Sequence, residues 1–212
     1  MAVRELDLGG IERDVGKLSR NIDRSRFHPH VACFRPGGAR ANEIAAAGIP
    51  ILHLPVTSFR SYSALRSAGL FRAYLKQHSI RIVHAFDAPT DIFAIPLARA
   101  FRVPVAVSSQ LWLPSLVSRS LQRVVNVTHR LADAVYVNCR ALECRLVQDE
   151  RIDAARIRVC HNGVEPDVFY PPSEPLNQPL VVGTVAVLRP EKGLRAPQPA
   201  SALPCHVTTV LS

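Results

Sequence analysis

Polar residues and glycines follow four apolar stretches at positions where they could bind or orient a ligand. They are Gly9-Gly10, His84 to Asp87, Ser108 to Gln110, and Asn138. Glycines leave backbone N–H groups open to a bound anion, and His, Asp, Gln and Asn side chains can hydrogen-bond a hydroxyl group. Each group ends a predicted strand, and the carboxyl ends of parallel strands meet at one edge of a sheet. We therefore expect the four groups to converge on one crevice.

The glycine pair Gly9-Gly10 leads into a predicted helix, because Ile11, Val15, Leu18 and Ile22 recur at helical spacing. The free N–H groups at such a helix start suit an anion such as a phosphate. A plain tight turn before a helix would have the same composition. The GxGxxG fingerprint of dinucleotide-binding proteins is absent.

Apolar strands and helices alternate along the chain, which predicts an α/β fold with a doubly wound, Rossmann-like parallel sheet covered by helices on both faces. Ahead of the glycines, only Ala2 and Val3 are available for a first strand, so we expect that strand to be cut short. The later predicted strands are 30–34, 51–54, 81–86, 103–108, 134–138 and 157–161. The later predicted helices are 39–47, 63–77, 89–101, 116–131 and 140–148.

The charge balance favours anionic partners. The 212 residues carry a formal net charge of +9, and such a surface attracts nucleic acid, anionic lipid or phosphorylated small molecules. Nucleic acid is the weakest of these, because no basic stretch is interleaved with aromatic residues. The five cysteines form no CxxC pair, which favours a reducing compartment over a disulfide framework or zinc site. With no signal peptide or membrane-spanning run recognisable, we expect a cytoplasmic protein that can touch the anionic inner membrane face.

Three segments together resemble glycosyltransferase family 4, whose members have the two-domain GT-B fold. They are LGGIE near the start, HNGVEPDVF from His161, and VGTVAVLRPEKGL from Val182. They occur in the family's order and spacing, and the resemblance covers residues 3–194. It implies an acceptor-binding domain over residues 1–170 with a truncated first strand, a proline-rich linker at 171–179, and the start of a nucleotide-sugar domain at 180–194. Residues 195–212 do not resemble the family and look like an unrelated or frameshifted tail.

The resemblance implies roles for several residues of the first domain. Gly9 and Gly10 would approach the donor phosphates and the acceptor, with Glu12 at the matching place of the family's GGIE pattern. Gln110 stands where family members often carry a histidine near the acceptor hydroxyl. Glutamine can orient a hydroxyl but cannot accept its proton, so the catalytic group is unassigned. His84 lies nearby, either as a substrate contact or as a structural hydrogen-bonding residue.

Further roles fall on the linker and the second domain. Asn162 and Gly163 would form a hinge turn with positive φ at the glycine, and Phe169 would anchor the linker by burial. Lys192 matches the lysine of the family's PEKG loop, and Arg189 could complete the basic pair that holds the donor pyrophosphate. No metal or cofactor is implied.

The implied reaction transfers a sugar from a nucleotide diphosphate sugar to a hydroxyl of a lipid-linked or saccharide acceptor, with retention at the anomeric carbon. Since little of the donor domain is recognisable, we expect this chain to be an inactive N-terminal fragment. A nucleotide-sugar epimerase of GT-B fold is one alternative, for which Asp87 and His84 are the available acid and base. A non-enzymatic α/β module that binds an anionic ligand or a partner is the other.

Overall fold

The computed structural model describes residues 1–112 and 117–170 of the chain. The chain divides into two units, Met1–Asn162 and Gly163–Ser212. The first unit contains strands β1 to β7 and helices α1 to α6. The strands are Ala2–Glu5, Val31–Arg35, Ile51–His53, Ile82–His84, Val105–Gln110, Ala134–Val137 and Ile157–Val159. The helices are Gly10–Asn21, Ala39–Ala46, Tyr62–Gln77, Ala88–Ala100, Arg119–Leu131 and Arg140–Gln148.

The strands form two parallel sheets, in the orders β1-β2-β3 and β4-β5-β6-β7. A single parallel bridge between Ala2 and Ala85 sets β1 beside the continuation of β4, where the Phe86 N–H donates to the Ala2 carbonyl at 3.0 Å. The strand order across both sheets is therefore 3-2-1-4-5-6-7, which reverses direction between β1 and β4. This confirms the predicted doubly wound parallel architecture.

The first strand is short, but it pairs with its neighbour β2 in regular parallel register. It has four residues, Ala2–Glu5, and pairs with β2 through Ala2–Ala32, Val3–Cys33 and Glu5–Arg35. Ala2 and Val3 are buried on opposite faces of the sheet because side chains alternate along a strand. Two apolar residues are thus enough to hold the strand centrally, while its charged end reaches the edge where ligands would bind.

Helices cover the two faces unequally. α1 and α2 pack on β1 and β2 around Val3, Val15 and Ile44, and α3 and α4 pack on the other face around Phe71 and Phe93. α6 continues this second layer over β6 and β7. The opposite face of β4 and β5 remains partly open, because Ile82 is 44% exposed and Val105 is 37% exposed. The described residues therefore leave part of one face of the sheet uncovered.

Two local predictions near the end of the described chain are wrong. Gly163 does not have a positive φ; among the described glycines, those that do are Gly38 and Gly48. Phe169 is 63% exposed rather than buried. The chain instead turns a few residues later, where the N–H groups of Val168 and Phe169 both donate to the Glu165 carbonyl. Residues 180–194, predicted to begin a nucleotide-sugar domain, lie outside the described residues.

Candidate functional site at the carboxyl edge of the sheet

The reversal of strand order between β1 and β4 places their following loops side by side. In open parallel sheets such a switch point leaves a crevice at the carboxyl ends of the strands, where ligands bind. The loop after β1 carries Gly9 and Gly10, and the loop after β4 carries Asp87. Leu111, which follows β5, packs on the same core cluster as Ile11 of α1 and the buried Phe86. The structure thus brings the ends of β1, β4 and β5 together, as the sequence predicts.

The start of α1 is exposed, but a carboxylate of the chain already lies against it. Gly9 is the N-cap residue with an extended backbone, and the Glu12 carboxylate folds back over it so closely that a Cβ on Gly9 would overlap Glu12 Oε2. Glu12 accepts a backbone hydrogen bond there, while burial and the nearby charges of Glu5 and Asp87 raise its pKa. Gly10 has no atom within 4 Å of an added Cβ. The open surface at this helix start is therefore over Gly10.

The loop after β1 is held from behind by a glycine that the sequence analysis did not single out. Gly38 caps α2 with φ +111°, and an added Cβ would lie 2.7 Å from both the Leu6 carbonyl oxygen and Asp7 Cα. The first N–H groups of α2, from Arg40 and Ala41, donate to that same Leu6 carbonyl at 3.1 and 3.3 Å. The RPGG segment thus positions the loop that leads to Gly9. The two adjacent glycines before a helix were the available signal.

Asp87 links the loops after β1 and β4. Its Oδ2 accepts the Arg4 backbone N–H at 2.6 Å, and its Oδ1 accepts the Thr90 N–H at 2.9 Å, which caps α4. The Thr90 hydroxyl in turn donates to the Ala2 carbonyl at 3.2 Å. Burial raises the pKa of Asp87, although these hydrogen bonds oppose the shift. Both oxygens of Asp87 are engaged in holding the fold.

His84 faces the open side of β4 rather than the glycine loop. Its Nε2 lies 2.8 Å from the Ser109 hydroxyl, and its ring packs against Phe86 at 4.0 Å and edge-on to Tyr136 at 5.8 Å. Burial lowers the pKa of His84 to about 3. An imidazole that stays neutral near pH 7 can exchange hydrogen bonds, but it is poorly matched to accept a proton in catalysis. The structural interpretation of His84 fits these contacts.

Gln110 ends β5 on the opposite face from His84 and has no exposed surface. Its Nε2 donates to the Trp112 carbonyl at 2.8 Å, while no residue in the described ranges hydrogen-bonds its Oε1 or the Trp112 indole N–H. On the same face the Ser108 hydroxyl donates to Asp91 at 2.7 Å. Burial raises the pKa of Asp91 well above its usual value. Three buried polar side chains, those of Asp91, Ser108 and Gln110, therefore lie beneath the carboxyl end of β5. The apolar sequence pattern of this strand did not predict them.

Of the remaining predicted residues, Asn138 follows Val137, the register partner of Gln110, at the same edge of the sheet, and others fall outside the described chain. The Asn138 carbonyl lies 3.0 Å from His161 Nδ1, so the ends of β6 and β7 are joined. Asn162 and Gly163 are exposed, and their hinge role stays a prediction. Arg189 and Lys192 fall outside the described residues, as do the predicted bounds of the linker and second domain.

Residues 1–112 and 117–170 contain neither a cluster of metal-binding side chains nor a helix that could span a membrane. No group of three or more His, Cys, Asp or Glu side chains there has a metal-binding arrangement. None of the helices in those ranges is long and apolar enough to cross a membrane. What the edge exposes is a helix start at Gly10 and the carboxylate of Glu12, with the buried amide of Gln110 beneath them. The first two groups can hydrogen-bond a polyhydroxylated ligand.

The family model described as a glycosyl transferase 4-like domain matches residues 9–163. By sequence alone, no curated protein is significantly similar to the chain.

Solved structures share the fold at low identity. A structure of Anabaena Alr3699/HepE in complex with UDP and glucose superposes with a TM-score of 0.69 at 20% identity, covering 91% of this chain and 55% of that one. A glycosyltransferase from Rickettsia africae gives 0.65 at 18% identity, covering 86% and 52%. A Listeria monocytogenes protein assigned as a UDP-N-acetylglucosamine 2-epimerase gives 0.54 at 14%, covering 88% and 54%. The chain therefore spans about half the length of these proteins.

Proposed function

The chain belongs to the glycosyl transferase 4-like domain family, and on that premise we propose that it is the acceptor-binding half of a glycosyltransferase. The complete reaction would move a sugar from a nucleoside diphosphate sugar to an acceptor hydroxyl, with retention at the anomeric carbon. Because HepE has been solved with UDP and glucose, a uridine nucleotide sugar is the first donor to try. We assign no metal and no cofactor.

The observation that carries this proposal is the meeting of three strand ends at the switch point. The helix start at Gly10, the Glu12 carboxylate and the end of β5 at Gln110 lie at one sheet edge. Carboxylate and amide oxygens accept hydrogen bonds from sugar hydroxyls. Glu12 would orient the acceptor, and the buried Gln110 would hold the loop after β5 in place by donating to the Trp112 carbonyl. The donor pyrophosphate would be held by Arg189 and Lys192, as the resemblance implies.

The acceptor is a saccharide or lipid-linked hydroxyl compound. The formal charge of +9 favours work beside an anionic membrane surface on the cytoplasmic side, because such a surface attracts clustered Lys and Arg by about 1 kcal/mol per residue. Liposome flotation in low and high salt would test this part separately.

We propose further that this chain does not transfer sugar alone. Catalysis of this kind orients donor and acceptor between two domains, and the chain spans about half the length of HepE. A chimera that joins residues 1–162 to the donor domain of HepE should consume UDP-glucose in the presence of the right acceptor, whereas the unmodified chain should not. Turnover by the unmodified chain at an ordinary rate would refute its inactivity.

Acceptor binding can be tested on the chain as it is. Saturation-transfer NMR with a panel of oligosaccharides should reveal binding that weakens at least tenfold in Glu12→Gln. Glu143→Gln is the matched control, since Glu143 lies on α6 and pairs with Arg140 at 3.9 Å. If no saccharide binds, or if the two variants behave alike, the acceptor site is not where we place it.

The contacts of Asp87 and His84 favour transfer over epimerisation. An epimerase needs an acid and a base that can exchange protons. Asp87 is committed to Arg4 and Thr90, and burial lowers the pKa of His84 to about 3. A binding module without catalysis would give saccharide binding by the chain and no turnover by any chimera.

A further inference from the structure

A cavity of about 580 Å³ lies at the amino-terminal ends of the strands, the opposite edge from the proposed acceptor site. We propose that it binds a single-chain amphipathic anion, meaning an alkyl or aryl group that carries a phosphate or carboxylate. Its walls come from the end of α1, the segment before β2, the end of α3, and the starts of β4 and β5. Its volume is within the range of small-molecule sites in proteins.

The floor of the cavity is the face of β4 and β5 that the described helices leave open. Ile82 and Val105 are register partners on that face, and they are 44% and 37% exposed. Leu18 and Ile22 of α1 line the same cavity, so an apolar strip runs between the helix and the sheet. Exposed aliphatic side chains gathered in a concavity, rather than scattered, indicate an apolar occupant.

The mouth of the cavity is cationic. Arg26, Arg81 and the histidines 28, 30, 78 and 84 are among the residues that line the cavity, and none of its described lining residues is an aspartate or glutamate. Neither arginine has an ion-pair partner within the described residues. Arginines whose guanidinium groups form no ion pair can make charge-assisted hydrogen bonds to an anion. They would hold the headgroup of a ligand whose chain lies on the floor.

Aromatic groups between the mouth and the floor form an ordered cluster. His30 Nδ1 lies 2.7 Å from the Tyr74 hydroxyl, and the His78 ring packs against both side chains at 4.9 and 4.2 Å. Burial and the neighbouring His78 lower the pKa of His30. The His30 ring and the Tyr74 hydroxyl therefore offer hydrogen-bonding groups to a ligand, and the arginines carry the charge attraction.

This combination selects an amphipathic anion over other ligand classes. Carboxylates that could bind sugar hydroxyls are absent from the described lining residues. A neutral lipid would gain nothing from the charge of the two arginines, and an inorganic anion would remove none of the apolar floor from water.

The test uses the complete 212-residue chain and decyl phosphate below its micelle concentration, followed by isothermal titration calorimetry. Decyltrimethylammonium, of the same chain length and opposite charge, and inorganic phosphate are the matched probes. We expect one decyl phosphate per chain, and binding at least tenfold weaker for both other probes, a difference of about 1.4 kcal/mol. Equal binding of the cationic probe, or no binding of decyl phosphate, would overturn the proposal.

Two variants test the location. Arg81→Glu reverses a charge at the mouth and Val105→Glu places a charge on the floor, so each should weaken decyl phosphate binding at least tenfold. Arg66→Glu and Leu65→Glu are matched controls on the exposed surface of α3, where Leu65 is 72% exposed and neither residue lines the cavity. If Val105→Glu does not fold, as judged by its melting curve, Arg81→Glu alone decides. Unchanged affinity in a folded Arg81→Glu would refute the site.

Vesicles distinguish a free amphiphile from a membrane headgroup. If the chain sediments with phosphatidylglycerol vesicles through Arg81 but does not bind decyl phosphate, the surface is a membrane contact and the cavity proposal is wrong. Saccharide binding at the opposite edge is measured separately, so the two proposals can fail independently.

Discussion

The Asp87 carboxylate accepts the backbone N–H of Arg4 at 2.6 Å, across 83 positions of the chain. The same carboxylate caps α4 through Thr90. One side chain thus fixes the end of β1 to the start of α4, at the point where the strand order reverses. Because the Asp87 carboxylate bonds to both segments, it fixes the distance between the loops that follow β1 and β4.

Asp87→Asn should destabilise the chain. An asparagine keeps one oxygen as an acceptor but turns an N–H₂ group toward the other partner, which leaves the backbone donor of Arg4 or Thr90 without its acceptor. Such a loss costs about 1–3 kcal/mol, readable as a lower Tm. Asp149→Asn, which removes a surface ion pair with Arg145 at 3.3 Å, should change the stability by less than about 0.5 kcal/mol. Equal effects of the two substitutions would contradict the linking role.

Gly38→Ala and Gly69→Ala should act in opposite directions. At Gly38 the backbone has φ +111° and an added Cβ meets backbone atoms of Leu6 and Asp7, so we expect a loss of about 1–3 kcal/mol. Gly69 is in the middle of α3 with nothing within 4 Å, and alanine there should stabilise the helix by about 0.5–1 kcal/mol. Urea denaturation measures both. A neutral Gly38→Ala would mean that the loop after β1 can shift freely.

The order of strands and helices follows from the sequence because apolar periodicity is a local property. α6 was predicted residue for residue, and α3 within one residue. The late start of α5 at Arg119 is set by Ser118, whose hydroxyl accepts the Leu121 N–H, and not by the apolar Leu116 that favoured an earlier start.

Features that depend on contacts distant in sequence were not predictable in this way. The constraint on Gly38 comes from the backbone at Leu6, and the burial of Gln110 comes from packing around the end of β5. The open face of β4 and β5 carries apolar residues such as Ile82 and Val105, just as the covered face carries Val83 and Ala106. Alternation of apolar residues shows that a strand could be covered, but which helix crosses over it is a matter of topology.

His84 should remain neutral through the physiological pH range. An unfolded histidine binds a proton below about pH 6.5, whereas burial lowers the pKa of folded His84 to about 3. The unfolded state therefore binds more protons between these values, and stability falls as the pH is lowered through that window, by up to about 1.4 kcal/mol per unit. His84→Asn should flatten this dependence. NMR titration of the imidazole that shows protonation near pH 6 would contradict the expectation.

Asp91 should produce the opposite pH dependence. Burial raises its pKa well above the usual value, so above about pH 3.9 the unfolded state releases a proton that the folded state retains. Stability then falls as the pH rises from the unfolded pKa toward the folded one. The side chain introduced by Asp91→Asn does not titrate. The Tm of this variant should therefore rise relative to the Tm of the parent as the pH is raised. A difference that is constant with pH would mean that Asp91 is ionised in the fold.

Gln110→His should increase turnover in the chimera that carries a complete donor domain. Glutamine at this position cannot accept a proton, whereas histidine can, and positioned acid–base groups contribute about 10²–10⁴-fold to rates. Histidine can also replace the hydrogen bond that Gln110 donates to the Trp112 carbonyl, so the loop after β5 should keep its place. Steady-state kinetics should show a higher kcat with little change in the acceptor KM. Gln148→His, on the exposed end of α6, controls for the mere addition of an imidazole. An unchanged or lower kcat in a variant that melts like its parent would show that Gln110 does not stand beside the reacting hydroxyl.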